Sequence, residues 1–370
     1  MNLMAMNERR SLRGSRWRTA AVASIIGVAI AACGPNPVST PSSSPAFSVN
    51  QFGAKGNGVF DNTAAFARAI ASAQAAGGGT VNVPAGRYSF SSDNPPNRAS
   101  IVIQGSAPVT LQGMGRTQTF LIEARPNKGL LGVVTDHTVV SNLTLDTQMH
   151  NGGAAIFVRA NYTSLLHVSV LGGAHAFALY YAGPLNATPA APTYDVGNRV
   201  YDLELNDLVC NDGFSWSFQK NSSISDVVHT GSRLALYVDD ATTVTDYWYT
   251  PGTQQCDARD GFWVTPPADD ITIVGFVSSG EGGEVGVNGA GVVGRIANNV
   301  TIRGLRLTGG DDQLLIGDVT NFLLEDSNLG DNAIVIAPQQ IAEGSISNCT
   351  FGRIVHKGAA GALVAIKVAS

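Results

Sequence analysis

Seven polar segments, each just ahead of an apolar run, hold groups suited to acid/base chemistry. They are His175; Asn211-Asp212-Gly213; His229-Thr230-Gly231-Ser232-Arg233; Asp257-Ala258-Arg259-Asp260-Gly261; Glu281 with Glu284; Gly309-Gly310-Asp311-Asp312; and Gly330-Asp331-Asn332. Adjacent carboxylates such as Asp311 and Asp312 repel each other unless a proton, a cation or an arginine stabilises one of them. Arg233 and Arg259 stand in the same set of segments. Tight turns also favour Asp, Asn and Gly for backbone reasons alone, so a structural role competes with a chemical one for each single Asp.

Spacing decides what paired carboxylates could do. If the apolar runs are strands stacked in parallel, groups one coil apart lie about 5 Å apart and groups two coils apart about 10 Å. Those values bracket the carboxylate pairs that cleave glycosidic bonds, roughly 5 to 5.5 Å with retention and roughly 6.5 to 9.5 Å with inversion. Asp260 with Glu281 or Glu284 suits the first case. Asp260 with Asp311 or Asp312, or Asp212 with Asp260, suits the second. Sugar rings also stack on aromatic side chains, and Trp216, Tyr237, Trp248, Tyr249 and Trp263 fall within one stretch of the chain. Trp263 lies between Phe262 and Val264, so alternation sends it outward beside Asp260. Phe214, Trp216 and Phe218 alternate with serines, which sends Trp216 into the core. The candidate catalytic residues are therefore Asp260, Asp311, Asp312, Asp212, Glu281 and Glu284. Trp263, Trp248, Tyr237, Arg233, Arg259, His229 and His175 are the candidates for holding substrate.

Positioning such a row requires a repeating scaffold. From about Ile101 onward the chain divides into repeats of about 20 to 28 residues, the period of a solenoid. Each repeat has a β run after a polar turn, then a second run often opened by Asn or Asp. Examples are 155–158 with 165–170, 214–218 with 224–228, 234–238 with 244–247, 262–264 with 271–276, 285–287 with 300–307 and 314–316 with 322–324. Ahead of them, Asp61-Asn62-Thr63 predicts a helix start, Phe66, Ala69, Ile70 and Ala73 recur at helical spacing, and Gly77-Gly78-Gly79 ends the helix. Residues 183–197, with Pro184, Pro189 and Pro192, read as a loop insertion of the sort that shapes a cleft.

The segment Phe52-Gly53-Ala54-Lys55-Gly56-Asn57-Gly58, Asp61-Asn62-Thr63-Ala64-Ala65, then Gly77-Gly78-Gly79-Thr80-Val81-Asn82-Val83-Pro84-Ala85-Gly86-Arg87-Tyr88 resembles the N-terminal signature of the pectate-lyase-3 superfamily. The resemblance implies an all-β, right-handed parallel β-helix with a short N-terminal capping helix, and it says more about fold than about reaction. Gly310-Asp311-Asp312-Gln313-Leu314-Leu315-Ile316 further resembles the Gly-Asp-Asp strand entry of polygalacturonase-type glycoside hydrolases. Asn211-Asp212-Gly213 or Asp260-Gly261 resembles their Asn-Thr-Asp-Gly element. That likeness implies acid and base roles for Asp311 and Asp312, with Asp260 or Asp212 as third carboxylate. The chain departs from the pattern in having no Gly-His-Gly and no Arg-Ile-Lys.

The 370 residues are 44% hydrophobic and 14% charged with 42 glycines, which excludes a disordered chain. Residues 1–32 read as a signal peptide, with five arginines ahead of an apolar run at 20–32 that is too short to span a bilayer. Ile30-Ala31-Ala32-Cys33 resembles a bacterial lipobox, so residues 33–46 read as a lipidated Cys33 and a Pro/Ser-rich tether, and 47–370 as one catalytic β-helix. The expected location is the cell surface, or the medium if the chain is simply secreted. Without the leader, 18 basic residues face 27 acidic ones, a formal charge of −9, which disfavours nucleic acid as a partner. Cys210 and Cys256 are candidates for a disulfide.

Three function classes follow. The first is a lipid-anchored enzyme that cleaves or transfers glycosidic bonds by carboxylate acid/base catalysis, with no cofactor required. The second is a calcium-dependent polysaccharide lyase or epimerase, in which the acids hold the cation and Arg259, Arg233, His229 or His175 abstracts a proton. The third is a glycan-binding surface protein without turnover. In all three the partner is a polysaccharide or oligosaccharide.

Overall fold

The chain enters its fold through the short strand Ala46–Ser48 and the 3-10 turn Val49–Phe52, then forms helix α1, Thr63–Ala75. The computed structural model describes residues 44–92, 99–125, 128–148, 154–171, 177–185, 193–208, 212–231, 262–265, 269–279, 284–287, 296–307 and 313–369. These belong to the compact unit Ser44–Ser370.

Helix α1 starts where the sequence predicts, with Asn62 at the N-cap position, but Asn62 does not cap it. Its amide holds the preceding loop, accepting from the Lys55 N–H at 2.7 Å and donating to the Phe60 carbonyl at 2.7 Å. Asp61 takes over, accepting from the Thr63 N–H at 3.1 Å and the Thr63 hydroxyl at 2.7 Å. The apolar face is buried as expected: Phe66 packs edge-on against Phe90 at 4.9 Å and Tyr88 at 5.6 Å.

Every strand pairing that follows is parallel. One sheet stacks ten strands: Ala99–Ile103, Gly129–Val133, Ile156–Val158, Phe177–Tyr181, Asp212–Ser217, Phe262–Thr265, Glu284–Val287, Gln313–Ile316, Ala333–Ile336 and Arg353–His356. Its inward column holds Ile101, Leu131, Ile156, Leu179, Leu314, Ile334 and Ile354, the backbone register continuing through positions 214, 262 and 285. A single coil leaves such residues in water; stacking covers them, at about 1.5 to 3 kcal/mol for each large aliphatic side chain buried.

The second sheet has 17 strands. Two ladders merge on the strand Val139–Asp146, whose first half pairs with Val109–Gln112 and second half with Thr119–Glu123. From there on, each long strand bends at one residue with positive φ. Asn142, His167, Asp202, Asp226, Gly275, Gly304, Asp326 and Asn348 occupy this column, with φ between 51° and 68°. The residue types follow from sterics, because the left-handed region is costly for branched side chains and tolerated by Asn, Asp, His and Gly. Neighbours in the column also bond: the Asn348 amide donates to Asp326 at 2.6 Å, and His167 Nδ1 lies 2.6 Å from Asp202. A second column, His137, Tyr162, Gly197, Asn221, Asp270, Asn299 and Asn321, turns the chain into these strands with φ between 50° and 72°. Within it, His137 stacks flat on Tyr162 at 5.0 Å. Gly197 must lack a side chain, because a Cβ there would meet the Tyr162 ring at 2.5 Å.

One expected coil is absent. Asp212–Ser217 pairs directly with Phe262–Thr265, and Gln219–Gly231 directly with Asp269–Ser279, so no strand from 234–238 or 244–247 intervenes. The offset from Phe214 to Phe262, 48 residues, is long enough for two coils, but it is one coil plus an insertion.

Candidate active site

The outward face of the ten-stranded sheet carries Val102, Gly132, Phe157, Tyr180, Leu315, Val335 and Val355, the backbone register continuing through positions 215, 263 and 286. Phe157 and Tyr180 meet edge to face at 5.7 Å, and the Arg159 guanidinium lies over Phe157 at 5.4 Å. Phe157 is fully buried and Tyr180 nearly so. On the inward face, Trp216 is fully buried and leans on Tyr181 at 4.5 Å, the core placement its alternation predicts.

The described backbone brings part of the acidic row onto this sheet. Asp212 opens its strand and pairs with Phe177. Glu284 was expected in a turn; it instead opens the strand Glu284–Val287 and pairs with Gln313, because the β run begins one residue earlier than its apolar pattern. Trp263 pairs with Ser215 and Gly286. The strand after Asp260 in sequence, Phe262–Thr265, and the strand after Asp312, Gln313–Ile316, are separated by Glu284–Val287 alone, which makes them two coils apart. The strands of Asp212 and of Phe262 are next neighbours, one coil apart where the sequence spacing suggested two, and Asp260 itself lies outside the described residues.

His229 does not belong to this row. It lies within the strand Gln219–Gly231 of the long sheet, in register with Leu205 and Ser278, because that strand runs on through the segment read as a turn. Asp260, Asp311, Asp312, Glu281, Trp248, Tyr237, Arg233, Arg259, His175, Cys33, Cys210 and Cys256 lie outside the described residues. Among the described residues no group of three or more His, Cys, Asp and Glu could hold a metal ion, and no helix is long and apolar enough to cross a membrane.

Sequence reading missed one buried acid, at the end of these strands opposite to the one Asp212 opens. Asp195 was placed in the 183–197 insertion, yet Asp195–Val196 is a strand paired with Gln219 and Lys220. Its side chain is 4% exposed and Oδ2 has no hydrogen-bond partner. Burial pushes its pKa up to about 7, with Asp136 adding to the rise and Arg159 opposing it. Beside it, the buried Asn198 amide donates to the Ala160 carbonyl at 2.9 Å and to Gln219 at 2.7 Å, and accepts from the Thr163 N–H and hydroxyl at 2.8 Å. No periodicity marked Asp195, since a two-residue strand has none.

A second charged cluster sits on the long sheet. Arg116 reaches Asp202 at 2.6 Å and Glu204 at 2.8 Å, and the His167 contact completes it. Burial raises the Asp202 pKa, but the bonds from His167 and Arg116 bring it below the usual carboxylate range. This cluster braces the 113–118 loop across three strands, with Arg116 Nε left buried and without a hydrogen-bond partner.

A family model described as rhamnogalacturonase A/epimerase, pectate lyase-like, matches residues 46–184. The tailspike protein gp49 of Acinetobacter baumannii bacteriophage Fri1, a capsular polysaccharide depolymerase, superposes with a TM-score of 0.55 at 14% identity, covering 87% of this chain and 58% of that one. The fold is a right-handed parallel β-helix, and residues 46–184 resemble the pectate lyase-like family model. A stretch of 116 residues is 35% identical to mannuronan C5-epimerase AlgE1 of Azotobacter vinelandii, covering 30% of this chain and 8% of that protein. Alginate lyase 7 of the same organism is 34% identical over 112 residues, covering 28% of this chain and 13% of that protein. The chain thus matches only a small fraction of each relative's length. The family-model match also ends before Asp212, the first acid of the row.

Proposed function

We infer that the chain is an exported enzyme acting on a polyuronate, and that its reaction begins by removing the proton from C5 of a uronic acid residue. The observation that carries this is the identity shared with proteins named as mannuronan C5-epimerases and an alginate lyase, on a β-helix of the same kind. Those names shift the balance from the hydrolysis implied by Gly310-Asp311-Asp312 toward the lyase or epimerase class.

Both reactions share their first step. A base takes the C5 proton, and the electron pair is delocalised into the adjoining carboxylate as an enediolate. The lyase then breaks the C4–O bond, leaving a C4–C5 double bond and a shortened chain; the epimerase returns a proton to the opposite face of C5. The chemistry needs a base, an acid and a group that neutralises the carboxylate. Arg233, Arg259 and His175 are the candidates for base and neutraliser, with Asp212, Asp260, Asp311 and Asp312 beside them. The register of the strands that these acids lead into supports one row. Trp263 and the other aromatics would seat the sugar faces. Lipidation at Cys33 would keep this activity at the cell surface.

Incubation with polymannuronate, polyguluronate, polygalacturonate and a neutral glucan tests the class. Ultraviolet absorbance of an unsaturated end supports a lyase, and altered uronate stereochemistry without chain shortening supports an epimerase. Loss of either in chelator assigns the acids to a bound cation. New reducing ends with no unsaturated non-reducing ends return the reaction to hydrolysis and refute C5 abstraction. Binding without any product leaves a glycan-binding protein.

A further inference from the structure

Polar groups on the outward side of the long sheet mostly bond one another. Arg303 Nε donates to Glu325 at 2.7 Å, and the turn column ends in a ladder where Asn299 donates to Asp270 at 2.8 Å and Asn321 to Asn299. The ladder stops at Asn321 because the next strand, Ile341–Ser347, has no residue to continue it: Val319 pairs with Ala342 and Phe322 with Gly344, three steps against two. Only glycine permits this short cut, since a Cβ at Gly344 would collide with the Phe322 carbonyl oxygen. Beside the gap lies a cavity of about 520 Å³, within the roughly 300 to 1,000 Å³ of small-ligand sites. Thr320, Asn321, Glu343, Ser345 and Lys367 give it a polar lining, with Ala365 in its floor.

We propose that this cavity holds one uronate residue of an acidic polysaccharide, on a different sheet from the acidic row and without chemistry of its own. The choice of a uronate among carboxylate ligands rests on the proposed function. Glu343 is in register with Ala365 and Ser345 with Lys367, so the two charges occupy opposite corners of a square, about 8 Å apart along its diagonal, with small residues at the other corners. No ion pair joins Glu343 to Lys367, and among the described residues the side chains of Glu343, Ser345 and Lys367 have no hydrogen-bond partner. Asn321 spends its N–H on Asn299 and keeps its Oδ1 open. A uronate matches this arrangement from end to end. The Lys367 ammonium donates to its carboxylate, a charge-assisted bond, while Glu343 and Asn321 Oδ1 accept from its ring hydroxyls and Ser345 donates to an oxygen between them. Glu343 repels the carboxylate, which fixes the direction in which the sugar lies. The two charges cancel, so the site draws on local geometry and not on the field of an acidic body.

Protection of Lys367 from acetylation, read by peptide mass spectrometry on the full chain in mild detergent, tests this. Trimannuronate at rising concentration is expected to slow acetylation of Lys367 about tenfold, the scale of one charge-assisted hydrogen bond, and to leave the exposed Lys357 unaffected. Glu343→Ala is expected to weaken the protection and Ala365→Tyr, which fills the floor, to abolish it. Both positions are exposed, and unchanged melting curves confirm that the variants fold. Lys367 acetylating alike with and without trimannuronate overturns the proposal, as does equal protection by a neutral trisaccharide or by acetate, or protection that survives Ala365→Tyr. Turnover is read separately: protection in a chain that leaves polyuronates unchanged keeps the site and refutes the proposed function, whereas an active chain without protection refutes the site alone.

Discussion

Phe214 and Phe262 are partners in one parallel ladder although 48 residues separate them in sequence. Their pairing makes the coils of Asp212 and of Phe262 adjacent, and it sets Arg233, Tyr237, Trp248 and Arg259 in an insertion between consecutive coils. Four of the seven residues proposed to hold the polymer therefore fall in one insertion of the sequence, outside the described residues.

Shortening this insertion separates fold from function. Replacing 234–257 with a short Gly/Ser linker should leave the β-helix folded, because loop closure costs only about 0.6 kcal/mol per doubling of length. Circular dichroism and melting should change little while turnover falls by orders of magnitude. A chain that no longer folds would show that these residues supply core after all.

Trp216 fills the core beside Tyr181. Trp216→Ala should cost about 3 to 5 kcal/mol in denaturant unfolding, from lost burial and the cavity left behind. A loss below about 1 kcal/mol would contradict the core placement.

The column of bent residues makes a prediction that depends on backbone alone. At Asn348, with φ 51°, Asn348→Gly should be nearly neutral, whereas Asn348→Val should cost about 1 to 2 kcal/mol, since a β-branched side chain resists the left-handed region. Thermal melts of the two variants read the difference.

Asp195 sets a pH dependence of stability. Its pKa of about 7 in the fold lies above the ordinary 3.8 of the unfolded chain. Between these values the folded chain keeps a proton that the unfolded chain has lost, so the stabilising contribution is complete below the lower value and is lost as pH rises through the upper. Asp195→Asn should remove this decline, so that the variant gains on the wild type as pH rises from about 4 to about 8. Parallel melting curves for the two chains over that range would show that Asp195 ionises normally.

The sequence carried the solenoid plainly because a β-helix repeats its own grammar. Alternation at Phe214, Trp216 and Phe218, the turn residues Asn, Asp and Gly, and the α1 periodicity all reflect local sterics and burial that act on every coil. Register between coils was less legible. It is set by which strands stack, and an insertion about as long as a coil, with β-branched residues and turns of its own, has the same pattern as one. That is why 234–247 read as strands, why the strands of Asp212 and Phe262 read as two coils apart, and why His229 was taken for a turn residue. Asp195 left no pattern because its environment is built from segments far apart in sequence: Arg159, Asp136 and Gln219.

The central claim, proton removal from C5, is tested most directly by carrying out the reaction on polymannuronate in deuterated water and measuring deuterium at C5. An epimerase should deliver deuterium to C5 of the inverted residues. A lyase should instead yield chains ending in a C4–C5 double bond, with no hydrogen left at C5. Either product should disappear when Asp260 and Asp312 are both changed to Asn. New reducing ends without any unsaturated non-reducing ends, with the original hydrogen retained at C5 throughout, would contradict the account and return the acidic row to hydrolysis.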